Sequence, residues 1–325
     1  RFDDRRLQAP RAVAPGELAA FEDDPLVTWV EVVGLGSLDV LRAVADALSM
    51  PALVLEAIVH VPQRSRFEEL DEGWFAVLRM DQPVEGFQLR QVAVWVRGNV
   101  VALFLEEPTE LFEPVRAALS VDGCKLRRGG RDQLVYRIAD ACVASFFPAL
   151  EEATRHLEEL EDAVLEAPSA APLRDLYHGR REFRRIHRAG LGLRDATHEM
   201  AREGDGLFQA ATRPFLWDVH EHAAQIVDLA DHSVGIASDI GLLLRDSLNQ
   251  RMNRAMRAMA VVATVFMPLG FLAAVYGMNF DRASPYNMPE LGWRFGYPAA
   301  LLGMATVAAG MFLWFRRQGW TRDDD

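Results

Sequence analysis

A line of uncharged, mostly apolar residues toward the C-terminal end of the chain is the first candidate for handling a metal ion. Asn253, Met256, Met259, Ala263, Met267 and Gly270 share a face if residues 253–270 are helical, and none of them is charged. Such a lining offers a cation no fixed countercharge. It suits an ion that keeps its water, or a constriction that closes by dewetting. The same spacing serves methionines that fill helix-helix contacts, and spacing alone does not separate the two readings. His220-Glu221-His222 is a second metal-like cluster, but histidines two apart lie on different helix faces, unlike the four-residue step of a zinc protease. Cys124 and Cys142, each among apolar neighbours, form neither a disulfide framework nor a cysteine zinc site, and a reducing compartment fits. The sequence carries no nucleophile motif, phosphate loop or paired-carboxylate pattern, so no catalysis is expected.

The elements that must position this line are two long apolar segments. Ala258 to Gly277 and Gly296 to Phe315 are each twenty residues without a charge, about the ~20 residues that a helix needs to cross a bilayer. Arg251, Arg254 and Arg257 precede the first, and Arg316, Arg317 and Arg322 follow the second. In the connecting loop Asp281, Arg282, Glu290 and Arg294 cancel. The positive-inside bias then puts both termini in the cytoplasm and the loop outside. Trp293, Tyr297, Trp314 and Trp320 stand where amphipathic rings mark the membrane interfaces. In the second segment Gly296, Gly303 and Gly310, with Ala299, Ala300, Ala308 and Ala309, make a small-residue face for close packing in lipid, so this span reads as a buttress. Two helices cannot enclose an aqueous path, and a pore therefore requires several copies about an axis.

The rest of the chain is charged and long enough to bury a core. Of 325 residues, 50% are hydrophobic and 25% charged, with a net charge of -12. That acidity argues against a sequence-independent nucleic-acid binder, which needs a basic face. The opening Arg1 to Arg6 lacks the apolar stretch of a signal peptide, so export of this part is not expected. Strand patterns at Thr28 to Val33, Trp74 to Met80, Val92 to Val96 and Val100 to Leu105 alternate with helical ones at Ser37 to Leu48 and Pro51 to His60. They predict an α/β domain over residues 1–132. Arg97-Gly98-Asn99 is expected to supply the positive backbone angles of a tight hairpin. Residues 133–213 read as an antiparallel helical hairpin, in which an acidic helix (Glu151, Glu152, Glu158, Glu159, Glu161, Asp162) pairs with a basic one (Arg180, Arg181, Arg184, Arg185, Arg188). From Leu216 the helical stride continues unbroken into the first apolar segment, giving a stalk helix over 214–277 about 90 Å long at 1.5 Å per residue. An outer loop over 278–295, a second span over 296–315 and a tail over 316–325 complete the expected organisation.

At the outer end of the first span stands Tyr276-Gly277-Met278-Asn279-Phe280, followed by Met288-Pro289-Glu290-Leu291. With Phe266-Met267-Pro268-Leu269 and the block from Leu53 to Met80, these residues closely resemble the CorA family of magnesium channels. The resemblance implies a funnel-shaped homopentamer in the bacterial inner membrane, with five first spans around the axis and lipid around them. Gly277, Met278 and Asn279 would form the entrance filter. Its neutral amides would accept hydrogen bonds from a hydrated ion, which is apt for Mg²⁺ because that ion sheds water reluctantly. Glu290 would raise the local cation concentration outside. The implied cargo is Mg²⁺, with Co²⁺ and Ni²⁺, and no bound cofactor. A Zn²⁺ transporter of the same fold, resembling the ZntB branch and coupled to protons, is the alternative, although that branch usually replaces the methionine of Gly-Met-Asn.

The sequence also departs from the family pattern. Members that shut at high internal magnesium hold an acidic residue directly after the glutamate matching Glu56, and another eleven residues before the asparagine matching Asn253. Here those positions are Ala57 and Leu242. Both halves of that intersubunit regulatory site are missing, and Asp239 and Asp246, on the same helix face as Leu242, are the candidate replacements.

Overall fold

The computed structural model describes residues 1–22, 24–82, 87–166, 172–203, 207–279 and 287–320. They form two units, Arg1–Gly241 and Leu242–Asp325.

The first unit is built on a five-stranded sheet: β1 (Thr28–Val33), β2 (Arg66–Leu70), β3 (Gly73–Asp81), β4 (Leu89–Arg97) and β5 (Val100–Leu105), in the order β1-β5-β4-β3-β2. Strand β1 runs parallel to β5, and every other pairing is antiparallel. The central strands are nearly all apolar, and β5 is buried at each of its positions. Such runs need cover on both faces. Helices α1 (Leu38–Ala47) and α2 (Ala52–Val59) cover one face. There Leu41, Val44, Leu48 and Ile58 join Phe75, Trp95 and Phe104 in one core cluster. Trp95 is fully buried, and its indole N–H donates to the carbonyl of Leu48 at 3.3 Å, so that buried donor is paired. Helices α4 (Lys125–Ala144), α5 (Phe146–Glu166) and α6 (Pro172–Glu203) pack on the opposite face, with the short α3 (Glu113–Leu119) beside α4.

Two glycines are demanded by this sheet. A Cβ on Gly73 would stand 2.3 Å from the carbonyl oxygen of Val96, closer than any side chain can come. Gly98 takes φ +52 in the two-residue link between β4 and β5. Asn99 does not join it at positive φ, so only one of the two expected residues supplies that conformation.

Strand β2 and helix α3 are the elements that the sequence pattern passes over. β2 reads Arg-Phe-Glu-Glu-Leu and lies at the sheet edge, where exposed Glu68 and the Arg66–Glu68 ion pair keep further strands from adding. Cys124 caps α4, its sulfur accepting the N–H of Arg127 at 3.4 Å. α4 also begins earlier than the strand-free region suggests, and it breaks at Gly130, which takes φ 61.

Helices α5 and α6 pack together, but not through their opposite charges. Leu157, Leu160 and Val164 of α5 are buried, as are Leu176, Phe183 and Ile186 of α6. Arg155 pairs with Glu152 and Glu159 of its own helix, and among the described residues no ion pair joins the acidic face to Arg180, Arg181, Arg184, Arg185 or Arg188. Apolar burial carries the association, as expected where exposed pairs contribute at most about 1 kcal/mol each. Helix α7 (Arg213–Tyr276) begins in the same unit and buries Leu216, Val219, Ala223, Ile226, Ala230, Ala237 and Ile240. It lies close to α6: a Cβ on Gly190 would stand 3.1 Å from the side chain of Val227.

In the second unit α7 continues through Pro268 to Tyr276 and is followed by a 3₁₀ turn (Pro289–Gly292) and α8 (Gly296–Arg317). Both helices are long and apolar enough to cross a membrane. Gly296, Ala299, Ala300 and Gly303 of α8 face Leu272 and Tyr276 of α7 across a cavity of about 460 Å³. A Cβ on Gly303 or Gly310 would meet nothing within 4 Å, so the small-residue face is not close-packed within one chain.

Two outcomes follow for the first unit. Gly73→Ala lowers its stability by about 1–3 kcal/mol, the cost of overpacking against a rigid backbone, which denaturant unfolding of the purified protein measures. Asp81 is buried and accepts the N–H of Gln88 at 2.8 Å; burial raises its carboxyl above the ordinary range. A raised folded-state value means that stability is fullest at low pH and falls as pH rises through that value. Asp81→Asn therefore stabilises the protein at pH 7 relative to wild type, and the difference shrinks as the pH approaches 4.

Candidate functional site

The Gly-Met-Asn motif lies where α7 stops. The Gly277 N–H donates to the carbonyls of Ala273 (3.0 Å) and Ala274 (3.2 Å), and that of Met278 donates to Val275 at 3.2 Å, so the last turn tightens before the chain leaves the helix. A Cβ on Gly277 would stand 3.3 Å from the oxygen of Ala273, tighter than most side chains tolerate. Asn279 follows as exposed, non-helical backbone, and neither it nor Met278 takes positive φ. It is therefore not a left-handed helix cap, which is the ordinary structural use of an asparagine at a helix end.

Behind it α7 carries no charge from Ala258 to Tyr276. Asn253, Met256, Met259, Ala263, Met267 and Gly270 are all exposed in the single chain, Met259 at 74% and Met267 at 73%. No residue of the most apolar stretch of α7 is buried within the chain. Pro268 sits inside this stretch and removes one backbone hydrogen bond, a defect that neighbouring helices in a membrane can absorb. Arg251, Arg254 and Arg257 are exposed on the approach, and Arg316 and Arg317 close α8. The side chain of Glu290 lies outside the described residues, as do Phe280 to Tyr286.

The remaining candidates are scattered. Asp239 and Asp246 are exposed on α7, and Leu242 between them is 56% exposed. Glu56 is exposed, whereas Ala57 is 6% exposed and belongs to the core cluster of the first unit. The position after Glu56 thus holds a methyl group packed inward, and no cation could reach it without rearrangement. His220 and His222 point to different neighbours, as helix geometry requires. His220 meets the carbonyl of Arg194 on α6 at 3.1 Å, whereas His222 packs edge-on against Phe147 and lies near Asp140. Burial raises the carboxyl of Asp140, and Arg137 and His222 partly offset that rise. Cys142 is buried, and its burial pushes the thiol well above its ordinary range, so it is inert. The sequence pattern gave no sign that His198 on α6 would stand beside His220 and Trp217 on α7, because residues brought together from separate helices leave no spacing to read.

Comparison with known proteins places this architecture. The family described as CorA-like Mg²⁺ transporter protein matches residues 27–317. The cobalt/magnesium transport protein CorA of Thermotoga maritima is 31% identical over 303 residues, covering 92% of this chain and 85% of that protein. Among solved structures, the complete CorA magnesium transporter from Methanocaldococcus jannaschii superposes with a TM-score of 0.77 at 18% identity, over 90% of each chain. The ZntB cytoplasmic domain from Vibrio parahaemolyticus matches 68% of this chain and 88% of its own, with a TM-score of 0.58 at 13% identity, and so shares the fold of the first unit. The family match across nearly the whole chain and the relative at 31% identity make this protein a member of the CorA-like Mg²⁺ transporter family.

Proposed function

We propose that this chain is the subunit of a homopentameric channel that admits Mg²⁺, with Co²⁺ and Ni²⁺, through a pore lined by five copies of α7. The carrying observation is the exposure of α7. Its uncharged face is long enough to cross a bilayer, is unburied within its own chain, and ends in an exposed asparagine that is not a helix cap. Family membership and the cobalt/magnesium transport named for the Thermotoga relative support the choice of cargo.

Five Asn279 amides would meet the ion at the outer mouth. Each is neutral, so together they can hydrogen-bond the water shell of Mg²⁺ without the desolvation that a carboxylate ring would drive. Gly277 and Met278 set the tight turn that presents the amide, and Glu290 adds charge outside. Below the filter, Met256, Met259, Ala263, Met267 and Gly270 form a neutral conduit, with Asn253 at its inner end. The soluble unit, both termini and the tail face the cytoplasm, in keeping with the arginines at the inner ends of α7 and α8. Inward flux is driven by membrane potential at about 2.3 kcal/mol per charge per 100 mV. With Ala57 buried and Leu242 apolar, feedback by internal magnesium uses other groups, and exposed Asp239 and Asp246 are the candidates.

Flux into liposomes tests this reading and separates it from a proton-coupled zinc transporter. With Mg²⁺ outside and an inside-negative potential, wild type accumulates Mg²⁺ without a pH gradient. Asn279→Ala lowers that flux roughly 10- to 100-fold, the loss expected of hydrogen bonds to a charged partner worth about 1.5–3 kcal/mol, and leaves the oligomer intact. Unchanged flux in Asn279→Ala removes Asn279 from the filter. Zinc flux that tracks a pH gradient, with no magnesium flux, overturns the choice of cargo.

A further inference from the structure

In the first unit α6 and α7 bring together three rings that transport does not use. The imidazole of His198 lies 5.0 Å from that of His220, with the planes inclined at 54°. The indole of Trp217 lies 5.5 Å from the first and 5.6 Å from the second, edge-on to both. His220 is oriented by its Nδ1, which meets the carbonyl of Arg194 at 3.1 Å. With that nitrogen donating to the carbonyl, Nε2 keeps its lone pair, the arrangement by which proteins prepare a histidine to bind a metal. His198 makes no hydrogen bond among the described residues, and both histidines are partly buried. They border an open cavity of about 490 Å³ that Arg194, Asp195, Glu199 and Arg202 also line.

We propose that His198 and His220 together bind a borderline divalent cation of the Zn²⁺, Ni²⁺ or Cu²⁺ class, with water completing its coordination. The separation of the rings leaves room for one ion between them. An ion 2.0–2.1 Å from an imidazole nitrogen is about 3.2 Å from the ring centre, so two imidazoles sharing one ion have centres about 4.5 Å apart at a right angle and about 5.2 Å apart at the tetrahedral angle. The observed 5.0 Å falls between them.

The surroundings decide which ion. The two arginines and two carboxylates at the cavity balance, and Asp195 is already engaged by Arg64 (2.7 Å) and Arg194 (3.0 Å). Attraction by net charge is therefore small, and affinity must come from the imidazole nitrogens. These suit zinc, nickel and copper, whereas Mg²⁺ prefers oxygen and keeps its water. Among the described residues no three His, Cys, Asp or Glu side chains converge on one point, so the protein offers two donors, and binding is reversible. The site shares no residue with the proposed pore and does not depend on which ion the pore passes.

Trp217 provides a built-in reporter. Ni²⁺ is titrated into the full-length protein in detergent, free of any histidine tag and with millimolar Mg²⁺ present, and indole fluorescence and calorimetric heat are both recorded. The expected result is saturable quenching that excess Mg²⁺ does not reverse. Trp217→Phe abolishes most of the quenching but keeps the heat. His198→Ala and His220→Ala each weaken binding at least tenfold, while His232→Ala, at an exposed position on α7, leaves it unchanged. Circular dichroism matching wild type certifies the variants as folded. Wild-type Ni²⁺ affinity in the double variant His198→Ala/His220→Ala, or the lack of saturable binding, overturns the proposal. So does inorganic phosphate that quenches Trp217 and is lost with Arg194→Ala when Ni²⁺ has no effect, since the cavity would then be an anion site.

Discussion

The structure depends on one unmet requirement: no residue of the most apolar stretch of α7 is buried by the described residues of its own chain. A helix can satisfy every backbone group in lipid, but two helices cannot surround water. An uncharged stretch with Met259 and Met267 about three-quarters exposed, preceded by three arginines and followed by an exposed asparagine, is what the proposed assembly of several copies in lipid would cover. α8 shows the same incompleteness from the other side. Its Gly303 and Gly310 leave open space in the single chain, as positions reserved for a neighbouring helix do.

The first unit solves a different problem. Its sheet is apolar on both faces and must be covered twice, by α1 and α2 on one side and by α4, α5 and α6 on the other. Because α6 is pinned to the sheet, and α7 to α6 at Gly190, the start of the long helix is fixed by a close-packed core. Packing of this kind is not continuously deformable.

Much of this was legible because its physics is local or periodic. Both uncharged segments follow from counting residues against bilayer thickness, and β1 and β5 have the bounds that their runs of strand-favouring residues predict. Other features were hidden. β2 is a charged edge strand whose partner, rather than its composition, makes it a strand. The acidic and basic helices do pack together, yet through Leu157, Leu160 and Phe183 rather than their charges, a distinction that charge patterns cannot make. Gly73 is required by an oxygen on β4, and the His198, Trp217 and His220 rings meet only because α6 and α7 do. The motif Gly277-Met278-Asn279 could be read as a filter only by resemblance; its helix-ending geometry and the non-capping backbone of Asn279 required the structure.

The claim that everything else serves is that several identical copies of α7 meet around a common axis. Native mass spectrometry of the protein released from lipid nanodiscs measures the number of copies directly. The account predicts a single species of five chains of 36.4 kDa, about 182 kDa. A predominant single-chain species under conditions that retain bound lipid would contradict it, since one α7 and one α8 cannot line a path for a hydrated ion.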